Sequence, residues 1–136
     1  RSSGDRAGAA DEGARVSAAA WIGVAVFGGL GALARFLVDG AIASRAGRDL
    51  PLGTLVVNAS GALALGLLAG LALDGQALLL AGPATLGSYT TFSTWMFETQ
   101  RLAEEGESEV ALANVLVSLG AGFAAVVLGH VIGSAL

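Results

Sequence analysis

The sequence contains no cysteine and no lysine, only 2 prolines and 1 histidine, and just 13% of its 136 residues are charged. Each shortage excludes something. Without cysteine there are no disulfides and no thiolate metal sites, and the redox compartment is left open. A single histidine, His130, cannot by itself build a metal site or a catalytic pair. With no lysine and a net charge of −4, there is no basic footprint for a nucleic-acid partner. Soluble domains carry about a quarter charged residues, so the scarcity of charge argues against a water-soluble globule. Disorder is excluded more firmly, because it needs low hydrophobicity and high charge. What the chain does have is 54% hydrophobic residues, 21 glycines and a mean hydropathy of +0.73. That is the composition of a small membrane protein.

The charges are distributed in blocks. Residues 1–15 hold three arginines and three acids among Gly, Ala and Ser with no apolar period, which predicts a disordered tail. The apolar stretch that follows is too long for a secretory signal and lacks a convincing cleavage site. Beyond it, four nearly uncharged blocks approach or meet the roughly 20 residues needed to cross a ~30 Å hydrocarbon core. A soluble bundle would need charge at regular spacing on its outer helix faces, and these blocks carry none. Residues 16–136 therefore read as one all-α membrane domain with four transmembrane helices, at about 16–38, 52–73, 76–98 and 110–135. Arginines are almost balanced between the two sides: Arg1, Arg6 and Arg15 on one, Arg45, Arg48 and Arg101 on the other, with Arg35 facing the latter. A balanced count permits insertion in both orientations and invites an antiparallel, dual-topology dimer.

Helices in lipid associate where small residues allow close backbone approach. Gly66 and Gly70 make such a pair in the second block, and Gly129 and Gly133 in the fourth. The third block is different. It carries Gly82-Pro83, Gly87-Ser88, and then Thr90, Thr91, Ser93 and Thr94 among aromatic rings. Proline and dense hydroxyls weaken a continuous helix, so this block is expected to be broken. In hydrocarbon, broken backbone survives only where protein or a water-filled cavity satisfies the freed groups. The competing reading is a proline-kinked helix whose hydroxyls bond back to its own carbonyls.

The stretches GGLGALARF (28–36), GTLVVNASGALALG (53–66) and LGSYTTFSTWMFE (86–98) resemble, in order and spacing, the signatures of the small fluoride channels of the Fluc or CrcB family. The resemblance spans residues 20–136 and implies an antiparallel dimer with two fluoride pores and a structural sodium ion (Na+) at the dimer centre. It assigns Asn58, Phe92, Ser93, Thr94 and Ser118 to the pore, Arg35 to the vestibule, and the sodium-coordinating backbone carbonyls to Gly87 and Thr90. Glu98 and Thr91 are further candidates. Trp95 and Asn114 are assigned to the pore as well, although both depart from the family pattern: Trp95 stands where a second phenylalanine is usual, and Asn114 where a tyrosine often begins the fourth-helix track. Asn114 lies four residues before Ser118 and so shares its face. Trp95 leaves two assemblies open, a homodimer or a pair with a paralogous second subunit.

These residue types suit the ion. Fluoride holds its water tightly, so it needs replacement donors at each step. Asn58 offers two N–H groups, the hydroxyls one O–H each, and ring edges carry partial positive charge. Conduction requires binding strong enough to replace water and weak enough to release. The expected activity is passive fluoride export relieving toxicity, across the inner (plasma) membrane of the cell, with no catalytic residues. Plainer roles stand beside several assignments. Asn58 could be interhelical glue, Phe92 and Trp95 ordinary packing, Arg35 a snorkelling side chain, Glu98 a boundary charge, and His130 an interhelical hydrogen-bonding residue. One rival is a partner-dependent subunit of a heterodimeric channel. Another is a small proton-coupled drug exporter, which needs a mid-membrane carboxylate that the first block lacks.

Overall fold

The computed structural model describes residues 18–46, 50–73 and 75–136. The tail expected at residues 1–15, together with Arg48, Asp49 and Asp74, lies outside the described residues. The elements are α1 (Ala18–Ala46), α2 (Leu52–Gly70), α3 (Gly75–Leu79), a π-helical stretch (Leu80–Leu86), α4 (Gly87–Tyr89), α5 (Phe92–Glu104) and α6 (Ser108–Ser134). Among the described residues three helices, α1, α2 and α6, are long and apolar enough to cross a membrane. The third hydrophobic block is assembled from the shorter pieces α3 to α5, so the described residues form a four-segment, all-helical, multi-pass membrane protein.

Two helices run further than hydropathy predicts. At 29 residues α1 is about 44 Å long, and it continues past Asp39 to Ala46 rather than stopping at residue 38. The third block likewise continues to Glu104 rather than residue 98. The reason is the same in both cases: a charge marks where hydrocarbon would end, whereas a helix ends only where its backbone bonding does. Near the end of α1, the Ser44 hydroxyl donates to the Ala41 carbonyl at 2.9 Å, and Arg45 reaches the same oxygen at 3.3 Å. After α5, Gly106 takes a φ of +88°, and the Glu107 N–H closes on the Leu102 carbonyl at 2.9 Å. This glycine-dependent helix stop turns the chain directly into α6.

Packing follows the small residues. The most extensive helix pairing is α2 on α6. A Cβ on Gly66 would run into the Val126 carbonyl, one on Gly129 into the Leu63 carbonyl, and one on Gly133 into the Leu67 carbonyl. The two helices therefore meet backbone to backbone, as the glycine pairs predict. Gly31 places α1 equally close to the Thr85 carbonyl of the π-helical stretch. His130 departs from expectation. Gly129 and Gly133 occupy the face toward α2, which turns the His130 side chain outward, and it makes no hydrogen bond with any described residue. The core is thin: Val57 is fully buried, while Trp21, Phe36 and Phe123 are 64%, 74% and 72% exposed, as suits side chains that face lipid.

Candidate functional site

The site begins at Pro83. It has no N–H to give, and its ring crowds the carbonyl four residues back. The backbone widens into π-helical turns, in which the Gly87 N–H reaches the Gly82 carbonyl and the Thr85 hydroxyl donates to the Leu80 carbonyl at 2.6 Å. After one further turn, Thr90 gives both its N–H and its hydroxyl to the Leu86 carbonyl, at 2.9 and 3.0 Å. The chain is then extended for two residues, Thr90 (φ −76°, ψ 161°) and Thr91 (φ −148°, ψ 124°), before α5 starts at Phe92.

Asn58 on α2 holds this extended segment. Its Nδ2 donates to the Thr91 carbonyl and its Oδ1 accepts from the Thr91 N–H, both at 2.8 Å. The amide thus serves the backbone first and keeps one N–H in reserve. The same clasp has a second effect. In a continuous helix the Thr91 N–H would bond the Gly87 carbonyl, and the Thr94 N–H would bond that of Thr90. Here the first goes to Asn58 and the second to the Thr91 hydroxyl at 3.3 Å. The carbonyls of Gly87 and Thr90 are released from helical bonding together, and such oxygens are suitable ligands for a hard cation. Among the described residues no cluster of three His, Cys, Asp or Glu side chains could hold a metal ion.

Hydroxyls and rings gather just beyond. The Thr91 hydroxyl caps α5, donates to the Thr94 hydroxyl at 3.0 Å and lies 3.4 Å from that of Ser93. Phe92 and Trp95 meet edge to face, with centroids 5.8 Å apart. Phe92 is 71% exposed, and Ser93 and Thr94 are exposed beside it. The Trp95 indole N–H is enclosed and has no hydrogen-bond partner among the described residues. From Trp95 a polar line continues across α5 to α6. The Thr99 hydroxyl donates to the Trp95 carbonyl at 2.8 Å and accepts from Asn114 Nδ2 at 2.8 Å, while Ser118 lies 3.4 Å from Asn114 Oδ1. Sequence reasoning missed Thr99. Its signal was its place one turn after Trp95 in the same hydroxyl-rich helix.

Two cavities meet at Thr91. A groove of about 480 Å³ is lined by Asn58, Gly61, Gly87, Thr90, Thr91 and Phe92, among others. A smaller cavity of about 220 Å³ joins Thr91 and Thr94 to Arg35, Asp39 and Thr54. The structure thus brings Asn58, Gly87, Thr90 and Phe92 together on one side of the break, and Arg35 and Thr94 on the other. Ser93, Trp95, Asn114 and Ser118 line neither cavity and follow α5 and α6 instead. Glu98 lies further along α5, in a third cavity with Asp39 and Arg101, where the buried Thr54 side chain faces its carboxylate.

Comparison with known proteins identifies relatives of this chain. The model of a family described as CrcB-like protein, Camphor Resistance (CrcB), matches residues 22–130. A protein named fluoride-specific ion channel FluC 2 from Mycolicibacterium paratuberculosis is 61% identical over 112 residues, covering 82% of this chain and 92% of that protein. A FluC 2 from Mycobacterium tuberculosis strain H37Rv is 55% identical over 115 residues, covering 85% and 91%. A protein named fluoride-specific ion channel FluC 1 from Rubrobacter xylanophilus is 46% identical over 102 residues, covering 74% and 82%. On a match that reaches into every helical segment and identities of this size, the chain belongs to the CrcB-like family.

Proposed function

We propose that the chain forms a fluoride-selective channel, and not an enzyme, that lets fluoride leave the cell passively across the inner membrane. The observation that carries this reading is the backbone break clasped by Asn58, with the hydroxyls of Thr91, Ser93 and Thr94 beside the Phe92–Trp95 ring pair. The relatives named fluoride-specific ion channels support it. An ion shedding water along this route meets neutral donors and ring edges, which replace its hydration without trapping it. Arg35 attracts anions to the cavity that opens on Thr91 and Thr94.

The pore belongs to a dimer in this proposal. Phe92, Ser93 and Thr94 lie open on the outside of a single chain, and hydroxyls facing hydrocarbon need a second wall. An antiparallel second copy, permitted by the balanced arginines, supplies it. The carbonyls of Gly87 and Thr90, two residues that line one groove, would hold a sodium ion at the centre of that dimer. The bound ion would supply fixed positive charge beside the anion path.

A second assembly is favoured by one observation. Trp95 carries an enclosed indole N–H without a partner among the described residues, a feature that a paralogous subunit could complete. The experiment is fluoride efflux from liposomes containing only this purified chain, with chloride as control. Fast, fluoride-selective efflux is expected. Well-folded protein that passes no fluoride alone but does so when mixed with a paralogue establishes the paired channel. Silence in both preparations refutes the channel reading.

A further inference from the structure

Beyond the break, the end of the bundle where α1 and α5 finish and α2 begins carries, beside Arg35, acidic charges that the channel reading does not use. Asp39 stands one helical turn after Arg35, so the two share a face of α1. Both line the cavity of about 220 Å³ that opens on the Thr91 and Thr94 hydroxyls. Asp39 also lines the neighbouring cavity of about 370 Å³, together with Glu98 and Arg101, and the two cavities have Phe36, Asp39 and Thr94 in common. The Asp39 carboxylate therefore sits where the two spaces meet.

Its seat is made by a missing side chain. Gly53, in the first turn of α2, is buried, and a Cβ there would overlap Asp39 Oδ1. The carboxylate makes no hydrogen bond or ion pair with any described residue, so no bonded partner neutralises its charge. The groups around it are Arg35 on its own helix, Thr54 on α2, and Glu98 and Arg101 on α5. An anion that reaches Thr91 and Thr94 from this end passes both a guanidinium that attracts it and a carboxylate that repels it.

We propose that Asp39 sets the rate of the channel by opposing Arg35: its fixed negative charge holds down anion occupancy in the cavity before Thr91 and Thr94. A charged wall of this kind changes local ion concentration severalfold, and a path with weak occupancy releases what it takes up. This inference rests on the channel reading, and the test separates the two.

The variants are Asp39→Asn, which preserves shape, and Asp39→Ser, a second neutral replacement should the first fold poorly. Folding is checked by elution as a single species in detergent. Fluoride efflux is then measured at sub-saturating fluoride in two ionic strengths, about 0.01 M and about 1 M, where the Debye length falls from about 30 Å to about 3 Å. At low ionic strength the neutral variants should run about threefold faster than the parent and saturate at a lower fluoride concentration. At high ionic strength the difference should largely vanish. Equal or slower efflux from a folded neutral variant overturns the proposal. An acceleration that persists unchanged at high salt also overturns it, because a structural effect is not screened. A parent protein that passes no fluoride refutes the channel reading itself, whereas an active parent with an indifferent Asp39 refutes only this inference.

Discussion

The seam between α2 and α6 and the break at Thr90–Thr91 solve the same problem, close association inside a membrane, by opposite means. Along the seam the glycines at 66, 129 and 133 let carbonyl oxygens of one helix sit against the backbone of the other, and the contact is made by shape. At the break the helix is abandoned, and Asn58 supplies by hydrogen bonds what the backbone has lost. The first region tolerates no added atom, and the second no lost donor. The difference separates what holds the protein together from what, on the proposed channel reading, equips it to carry an ion.

That contrast can be broken most directly at the seam. Gly129→Leu would drive a side chain into the Leu63 carbonyl, and overpacking of this kind costs about 3 kcal/mol or more. The expected result is loss of monodisperse protein on size-exclusion chromatography. Recovery of a folded, active protein would show that α2 and α6 can slide apart, and that shape does not govern the seam.

Next in size is Asn58→Ala, which removes two hydrogen bonds worth about 1 kcal/mol each and leaves the Thr91 backbone groups unpaired. Fluoride efflux should fall roughly a hundredfold, while the seam still yields folded protein. Efflux within a few-fold of the parent would mean that the break stands without its clasp.

A smaller effect is expected for Ser118→Ala. Its bond to Asn114 is long at 3.4 Å, so efflux should fall by about threefold, corresponding to about 0.6 kcal/mol. Full activity would remove Ser118 from the anion path and end the polar line at Asn114.

The least effect belongs to Gly122→Ala, since a Cβ there meets nothing within 4 Å. Thermal unfolding in detergent should shift by no more than about 0.5 kcal/mol. A large loss of activity with unchanged monomer stability would identify that face of α6 as a contact with a second copy.

Much of this arrangement is legible in the residues. The absence of charge over long blocks marks the four segments, and the four-residue spacing of Gly66–Gly70 and Gly129–Gly133 marks the seam. Asn114 and Ser118, one turn apart, do share a face. Other features are not local enough to read. The clasp joins residues 33 apart in sequence, and no periodicity encodes which backbone group an asparagine will take. The proline signalled an irregular helix without specifying seven π-helical residues. Thr85 and Thr90 bond back to carbonyls of their own segment, whereas Thr91 caps the next helix, so identical hydroxyls divide by position alone. Asp39 looked like the end of a helix, because hydropathy records the solvent and not the hydrogen bonding.

The clasp also has a consequence for biogenesis. When residues 75–104 first enter the bilayer, before α2 has docked, nothing is there to receive the Thr91 N–H and carbonyl. In hydrocarbon the cheapest way to satisfy them is to run on as helix through the gap. The break is then a product of assembly: the segment inserts as a nearly continuous rod, and Asn58 opens it only when the two spans meet. On the proposed channel reading, a chain whose spans have not yet met has no open break to offer an ion, and the route is finished only when a second copy closes its other side.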